Sequence, residues 1–544
     1  MKRYLWVFLL ISFFGYGEDF TEERELVENK KKEIFINSLI FMGDEKQKID
    51  VTEEGIVILG LEVPKKTPFK KEMSKFLKKP LTTDILEEIK KAVVDYYEKN
   101  SSYIVSVHIL EGQDVTLGNI KILVLLGKLG KIKAEGARFF SNKKIKNSLK
   151  IKTEEIINKD QIQEEVFWLN TSPFHTTSLI FEPGEELGET NIILQTEDRF
   201  PVKVYGGYEN TGTKDTGLSR YIAGVTIASC FGNDEANAQF MSSSELNKWW
   251  GVSGNYIANL WKRNILRVFG YYVKTKPDYE PDQNLDGKAW SLIGRYVIPL
   301  PTFENYKHEF VLGYDFKRTN NFIIYQETLI YDSFIDVSQF LLKYEGTYSK
   351  DRFNALLGIN VFISPGKMTR YNKRKYFEQE RERAKSNYVY GLLDIDLNIP
   401  LPQKFSWILK TSFQASSSKL LPIEQFSLGG FRTVRGYREN EVIGDQGFLL
   451  VNEIRTDAFD LQKDGKQKIQ FLGFIDFGMV TDVDKNILSK NNARLLSVGP
   501  GLRFSIKEYL NARVDYGIQL KSIHGRFFPE GWHSRIHAGI FLDF

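Results

Sequence analysis

Apolar and polar residues alternate with a period of two through most of the chain from residue 200 to residue 544. From residue 510 to residue 520 the even positions are apolar, whereas the odd positions are polar or glycine. A similar alternation returns at residues 534–544. Because successive side chains of a β-strand point to opposite faces, this pattern predicts amphipathic strands rather than helices.

We place sixteen strands in this region. A strand of about 10 residues, tilted near 45°, crosses the hydrocarbon core of a bilayer, and most of these segments have that length. They lie at residues 202–210, 220–230, 234–244, 248–259, 263–275, 288–299, 307–318, 334–348, 352–364, 387–398, 405–416, 446–457, 468–479, 494–505, 509–520 and 534–544.

The apolar face of such strands has two common environments. In a soluble sandwich it meets a protein core, whereas in a membrane barrel it meets lipid and the polar face lines a wet lumen. Some connections are short, but those at 365–386 and 417–445 are long. Short turns on one side and long loops on the other are typical of outer-membrane barrels. The pattern therefore predicts a sixteen-stranded antiparallel transmembrane β-barrel at residues 200–544.

Residues 51–199 have a different texture, in which β-rich runs are separated by segments of helical periodicity. The pattern of residues 51–127 predicts the element order strand, helix, helix, strand, strand, and the pattern of residues 128–199 predicts the same order. Two successive units with one element order form an internal repeat. The overall fold class is therefore mixed, with two α+β domains ahead of the barrel.

The N-terminal segment has the features of an export signal. Lys2 and Arg3 precede an apolar run at residues 4–14, which is too short to span a bilayer, and small residues follow it. We expect a signal peptide at residues 1–17. Residues 18–50 are highly charged and are expected to hold a helix with a linker behind it, or else a solvated tail.

Composition narrows the classes of function. Lys and Arg number 74 against 70 Asp and Glu, and the net charge of +4 argues against a general nucleic-acid-binding surface. A mean hydropathy of −0.31 argues against a bundle of membrane helices. The single cysteine, Cys230, excludes an intramolecular disulfide.

No catalytic or metal-binding arrangement is found in the sequence. Residues 251–254 lack the spacing of a nucleophile elbow. His533 and His537 lie about 13 Å apart along a strand, which is too far to share a metal. No phosphate-binding loop motif occurs. We therefore expect no enzymatic activity, no cofactor and no metal.

The long loop at residues 417–445 is the most informative segment, because it contains the consecutive residues Val434, Arg435, Gly436 and Tyr437. A tight turn at this position would present one guanidinium group. Taken alone, the motif is more typical of a surface loop whose arginine is solvated.

A later strand carries a candidate partner for that arginine. Phe474, Asp476 and Gly478 share one face of the strand, so that Asp476 points into the lumen and Gly478 leaves room for a folded-in loop. Arginine can meet a carboxylate bidentately. Breaking a buried pair of this kind costs about 3–5 kcal/mol, whereas a wet pair contributes about 0–1 kcal/mol.

These features together resemble the two-partner-secretion outer-membrane transporters, which are the haemolysin and adhesin secretion/activation proteins of the POTRA-barrel superfamily. The resemblance implies that residues 51–127 and 128–199 are periplasmic POTRA domains. It also implies that the loop folds into the lumen and that Arg435 pairs with Asp476. The family has an N-terminal plug helix, for which residues 20–35 are the candidate.

The resemblance implies a function as well. Such a protein recognises a large exoprotein in the periplasm, of the haemolysin or adhesin type, and passes it unfolded through the outer membrane. The expected partners are this client, outer-membrane lipid and the barrel-assembly machinery, and the barrel is expected to be a monomer. An outer-membrane insertase or assembly factor and a diffusion porin are the alternatives. Phe544 is expected to act as a barrel-insertion signal or to be an interface aromatic.

Overall fold

The computed structural model describes residues 34–44, 54–228, 234–260, 263–277, 283–303, 305–325, 328–483, 492–523 and 533–544. The expected signal peptide, and the plug-helix candidate up to residue 33, lie outside these residues. The chain divides into two compact units. The first unit consists of the chain up to Ala134 together with Lys146–Val166 and Leu179–Leu194. The second unit consists of Glu135–Ile145, Phe167–Ser178 and Gln195–Phe544. The domain boundaries at 127/128 and 199/200 therefore stay predictions.

The N-terminal α/β segment forms a four-stranded sheet covered by helices. Its elements are β1 (Ser38–Met42), β2 (Gly55–Leu59), α1 (Lys66–Met73), a 3-10 turn (Ser74–Phe76), α2 (Thr83–Asn100), β3 (Val105–Ile109) and β4 (Asn119–Leu126). The sheet order is β2-β1-β4-β3, and β1 runs parallel to both of its neighbours. Phe69 of α1 packs edge-on against Phe41 of β1, with 5.0 Å between ring centroids.

Strand β1 corrects one expectation from the sequence. Residues 18–50 were expected to be a helix and linker or a solvated tail, but Ser38–Met42 is a central strand of this sheet. All of its residues are buried, so it shows no polar alternation. The first strand predicted within residues 51–127 is β2, and it lies at the edge of the sheet.

The following segment, which is described throughout, has the same element order from its first strand onward but no counterpart of β1. It consists of β5 (Lys128–Glu135), α3 (Asn142–Lys146), α4 (Lys159–Leu169), β6 (His175–Pro183) and β7 (Glu189–Asp198), with the sheet order β5-β7-β6. The order strand, helix, helix, strand, strand predicted for residues 128–199 is therefore observed. Of the helices in the described part of the chain, none combines the length and the apolar character needed to cross a membrane.

The remaining residues form a closed antiparallel β-barrel. Its segments in chain order are β8 (Val202–Glu209), β9 (Arg220–Ala228), β10 (Asp234–Ser242), β11 (Trp249–Asn259), β12 (Ile265–Thr275), β13 (Gln283–Pro299), β14 (Tyr306–Tyr325), β15 (Thr328–Lys350), β16 (Phe353–Ser364), β17 (Tyr388–Pro400), β18 (Ser406–Ser416), β19 (Phe426–Leu428), β20 (Val442–Gly444), β21 (Gln446–Arg455), β22 (Phe459–Asp460), β23 (Gln467–Thr481), β24 (Asn492–Ile506), β25 (Leu510–Gln519) and β26 (Ser534–Asp543).

The strand count of the barrel is sixteen, as predicted. Strands β19 and β20 pair with each other outside the barrel sheet, and the short β22 continues β21 alongside β23. The barrel closes where β26 pairs antiparallel with β8. The predicted strand positions agree with the observed ones, although β14 and β15 are longer, with 20 and 23 residues.

The alternation of side chains follows the barrel wall. On β23, Phe471 and Ile475 are about half exposed on the outer face, whereas Phe474 and Asp476 are buried on the inner face. Short turns such as residues 507–509 lie at the end where β8 begins and β26 ends. The long loops lie at the other end. Residues 365–387 form one of them, which contains α5 (Arg374–Glu380), and residues 417–445 form another.

Candidate functional site

Loop 417–445 packs against the inner wall of the barrel. Its hairpin of β19 and β20 contributes Leu428, which is buried in one apolar cluster with Val434 of the loop and with Val480 and Leu495 of the wall. Gly429 and Gly430 both have φ above +100°, a region that glycine adopts without strain. The chain therefore turns sharply between the hairpin and the residues that follow it.

Arg435 lies at the tip of this loop, and its guanidinium contacts Asp476 of β23. Nε donates to Asp476 Oδ2 at 2.8 Å and Nη2 donates to Oδ1 at 2.9 Å. The backbone N–H of Arg435 donates to Oδ2 as well, at 3.1 Å. Arg435 is 2% exposed and Asp476 is fully buried. The guanidinium also stacks over the Phe474 ring, 3.6 Å from its centroid, so this is a buried bidentate pair and not a wet one.

Two further carboxylates surround Arg435, and the sequence motif gave no sign of either. Nη1 donates to Glu453 Oε1 of β21 at 2.7 Å and lies 3.8 Å from Asp515 Oδ1 of β25. Glu453 and Asp515 each occupy an inward-facing position of an alternating strand. That alternation is the only sequence signal that could have indicated them.

The neighbouring loop residues fix the tip by backbone contacts. The Gly436 N–H donates to His537 Nε2 of β26 at 3.0 Å, and Gln519 Nε2 donates to the Gly436 carbonyl at 2.7 Å. The Tyr437 hydroxyl accepts from the Leu496 N–H at 3.2 Å and donates to the Lys521 carbonyl. The tip is therefore bonded to β24, to β26 and to both the end of β25 and the residues after it.

Val434 and Gly478 show why a glycine occupies the wall below the loop. Val434 is fully buried. A Cβ on Gly478 would lie 2.7 Å from Leu428 Cδ1 and 2.9 Å from Val434 Cγ2. Gly478 therefore provides the space into which these two loop side chains pack, as the shared face of Phe474, Asp476 and Gly478 predicted.

A second anchor holds the base of the loop to the opposite part of the wall. Glu424, which is buried, accepts hydrogen bonds from Lys317 Nζ at 2.5 Å, Gln339 Nε2 at 2.9 Å and the Tyr390 hydroxyl at 2.7 Å. These partners lie on β14, β15 and β17. Sequence analysis did not single out this group, because its members are far apart in the chain.

A third anchor connects the two long loops and the residues that follow β23 at one carboxylate. Asp445, which is fully buried, pairs with Arg381 of loop 365–387 and accepts from the backbone N–H of Leu420 at 2.9 Å and of Val483 at 3.1 Å. Arg381 also contacts Asp482 at 2.9 Å. Loop 365–387 is thereby fastened to both ends of loop 417–445 and to the residues that follow β23.

A cavity of about 1070 Å³ lies inside the barrel beside the loop tip. Arg435 and Glu453 line it together with Arg455, Arg503 and Arg513. No group of three or more His, Cys, Asp or Glu side chains that could hold a metal is found among the described residues.

Phe544, the other residue singled out by the sequence, continues the edge where the barrel closes. Its N–H donates to the Val204 carbonyl at 2.9 Å, and the Val204 N–H donates back at 3.1 Å. Its side chain is 70% exposed. It is therefore an outward-facing aromatic at the end of the barrel where the short turns lie, far in the chain from the loop tip.

Comparisons with known proteins agree with this architecture. Residues 188–504, more than half of the chain, match the model of the family described as haemolysin secretion/activation protein ShlB/FhaC/HecB. The heme/hemopexin transporter protein HuxB of Haemophilus influenzae strain 86-028NP is 22% identical over 457 residues, which cover 80% of this chain and 77% of HuxB. The outer membrane transporter CdiB of Escherichia coli O6:K15:H31 is 22% identical over 388 residues, or 69% of this chain and 64% of CdiB.

A solved structure shows the same fold. CdiB from Escherichia coli superposes with a TM-score of 0.69 at 16% identity, over 96% of this chain and 93% of that one. The family match, the sixteen-stranded barrel and the α/β region ahead of it lead to one assignment. The chain belongs to the haemolysin secretion/activation protein family and is a two-partner-secretion transporter of the bacterial outer membrane.

Proposed function

We propose that the buried Arg435–Asp476 pair holds the export pore of this transporter in its closed resting state. The observation that supports this proposal is the depth of the pair, since both side chains are almost completely removed from solvent. The loop that carries Arg435 lies inside the barrel and is anchored at its tip and at its base. An extended polypeptide could pass only after the loop has moved.

The pair makes the closed state stable but reversible. Separating a buried arginine from its carboxylate costs about 3–5 kcal/mol if nothing replaces the lost contacts. This is small enough to be offset by the binding of a client to the periplasmic domains or within the pore. The same reasoning separates the protein from a diffusion porin, whose lumen stays open.

We further propose that residues 34–127 and 128–199 act as POTRA domains that bind the client, a large secreted exoprotein. Each of the two sheets presents two edge strands, which are β2 and β3 in the first sheet and β5 and β6 in the second. An extended client segment can add a strand to such an edge through backbone hydrogen bonds. Contacts with outer-membrane lipid and the barrel-assembly machinery, a monomeric state and the lack of enzymatic activity belong to the same proposal.

Planar-bilayer recordings of an Arg435→Ala variant test the role of the pair. We expect heat-modifiable barrel in the outer membrane at the wild-type level but a higher resting conductance, because the loop is no longer held against Asp476. Arg438→Ala is the matched control, because Arg438 lies in the same loop with an exposed side chain. A resting conductance of Arg435→Ala equal to that of wild type and of Arg438→Ala would show that the pair does not hold the pore closed.

Deletion of a complete α/β unit tests client recognition. Because β1 is a central strand of the first sheet, the deletion must remove residues 34–127, and not only residues 51–127. We expect the purified deletion variant to lose most of its affinity for the client while the barrel stays folded. Unchanged affinity would place recognition outside this unit.

A further inference from the structure

Three carboxylates form a cage around the guanidinium of Arg435, and two of them have a second arginine of the barrel wall. Arg455 Nε donates to Glu453 Oε2 at 2.7 Å. Arg503 donates bidentately to Asp515, at 2.8 Å and 3.0 Å. Within the described residues, the side-chain hydrogen bonds of Asp476 all come from Arg435.

The charge of this cage changes when the loop leaves. Without Arg435, three carboxylates face two wall arginines, and one negative charge stays uncompensated at Asp476. Glu453 and Asp515 keep their positions, because Arg455 and Arg503 still hold them. The empty cage is therefore preorganised for a single monovalent cation, because its uncompensated charge lies on a carboxylate that is fully buried in the closed state.

The shape of the cage selects a planar cation. Asp476 accepts two parallel N–H bonds along one edge of the guanidinium, Glu453 accepts a third from another nitrogen, and the Phe474 ring covers one face at 3.6 Å. A guanidinium makes all of these contacts at once. An ammonium ion is a compact point charge and can satisfy only part of them.

The cage is also accessible from the lumen. The cavity of about 1070 Å³ is lined by Arg435, Glu453, Arg455 and Arg503, so the contacts of Arg435 lie at its border. Its volume exceeds that of a single side chain, and a second guanidinium could approach from the path that an extended chain would follow.

We propose that this cage is an exchangeable guanidinium-binding site, which Arg435 occupies in the closed state and arginine side chains of the exported polypeptide occupy while the loop is withdrawn. The loop tip is then a tethered competitor for the site. The identity of the natural ligand as a client rests on the proposed export function. The existence of the site does not, because it can be tested without any client.

Ligand binding to full-length Arg435→Ala tests the site directly. Thermal unfolding of the purified protein in nanodiscs is measured against increasing ethylguanidinium chloride, with ethylammonium chloride at equal ionic strength as the comparison. We expect ethylguanidinium to raise the unfolding temperature saturably. We expect ethylammonium to need at least about a tenfold higher concentration for half of the effect.

Two further proteins serve as controls in the same assay. Wild type should show no saturable shift at these concentrations, because Arg435 fills the site. Arg435→Ala combined with Asp476→Asn should show none either, because the bidentate partner has lost its charge. Equal responses to both salts, or a guanidinium response that survives Asp476→Asn, would overturn the proposal.

Two tripeptides that differ only in a central arginine or lysine extend the test to polypeptide ligands. The arginine peptide should stabilise Arg435→Ala and the lysine peptide should not. An equal effect of the two peptides would contradict occupation by client arginines while leaving the export function itself intact.

Channel recordings cover the case in which Arg435→Ala does not fold. In wild-type protein in planar bilayers, ethylguanidinium at concentrations well above those of the unfolding assay should compete with Arg435 and raise the frequency of openings above that in ethylammonium. Identical opening frequencies in the two salts would overturn the proposal without reference to any variant.

Discussion

Gly436 at the loop tip and Gly517 on β25 lie so close together that neither position has room for a side chain. A Cβ on Gly517 would lie 2.3 Å from the backbone nitrogen of Gly436, and a Cβ on Gly436 would lie 2.9 Å from the carbonyl carbon of Gly517. Gly436 also has φ of +90°, which other residues adopt only with strain. The loop tip is therefore held in place both by this close backbone contact and by the Arg435–Asp476 ion pair.

Gly517→Ala should displace the loop tip without preventing barrel formation. The added methyl group overlaps the Gly436 backbone, and overpacking of this kind costs about 1–3 kcal/mol. We expect higher conductance in planar bilayers and faster protease cleavage within loop 417–445. Gly294→Ala on β13 is the control, since a Cβ there meets nothing within 4 Å. Equal conductance of the two variants would contradict the close contact.

Tyr437→Phe should loosen the tip by removing one hydroxyl. That group accepts from the Leu496 N–H and donates to the Lys521 carbonyl, and leaving these backbone groups unpaired costs about 1–3 kcal/mol. The unfolding temperature of the purified barrel should fall. Tyr509→Phe should leave it unchanged, because Tyr509 is 48% exposed. A matching decrease in both variants would rule out a specific role for the hydroxyl.

Arg381→Gln should release loop 365–387 from Asp445. Removing one member of a buried pair costs about 3–5 kcal/mol, and Asp445→Asn should add little to it because both changes break the same contact. Unfolding free energies of the two single variants and the double variant measure this coupling. Arg374→Gln in α5 is the control. Its pair with Glu378 is exposed and should contribute about 0–1 kcal/mol.

Additive effects of Arg381→Gln and Asp445→Asn would mean that the two residues act separately. An effect of Arg374→Gln as large as that of Arg381→Gln would indicate that the loop responds to any loss of charge.

The environment of Asp198, which lies outside the barrel strands, predicts that local stability there depends on pH. Burial alone would raise the pKa of its carboxyl, but backbone N–H donors of Arg138, Phe140 and Phe139 outweigh burial and hold the pKa below the ordinary 3.8. A lowered folded-state pKa stabilises the structure above the unfolded-state value and loses this contribution as the pH falls through the folded-state value.

Hydrogen exchange at these three amides checks this expectation. After correction for the intrinsic rate, their protection should be constant near neutral pH and fall below about pH 4. Asp198→Asn should weaken the protection at neutral pH and remove its pH dependence. The exposed neighbour Glu197 supplies the control, and Glu197→Gln should behave like wild type. Protection in wild type that stays constant below pH 4 would be evidence against the three bonds.

The sequence was sufficient for most of the barrel because one face of each strand must meet lipid. That requirement places an apolar residue at every second position, as in β25, and so reveals the strands and their inward faces. Strand β1 was not predicted, for the opposite reason. It lies between β2 and β4 and is buried on both faces, so its five apolar or small residues show no period.

The sequence predicted only those residues of the site that belong to a recognisable motif. Arg435 and Asp476 stood out because a tight-turn arginine and an inward acid occur in a recognisable context. Arg381 and Glu424 did not, because their partners come from loops and strands that meet only in the folded chain. No local sequence pattern distinguishes Arg381 from the other arginines of its charged loop, so its contact with Asp445 could not be predicted.

The length of β14 and β15 has a consequence for the cell surface. A strand of 20 residues rises about 68 Å along its own axis. Even when tilted by 45° it extends about 48 Å along the membrane normal, well beyond a hydrocarbon core of about 30 Å. This hairpin joins its strands at the end where the long loops lie. The two strands therefore extend beyond the outer leaflet, where we expect antibodies against them to label intact cells.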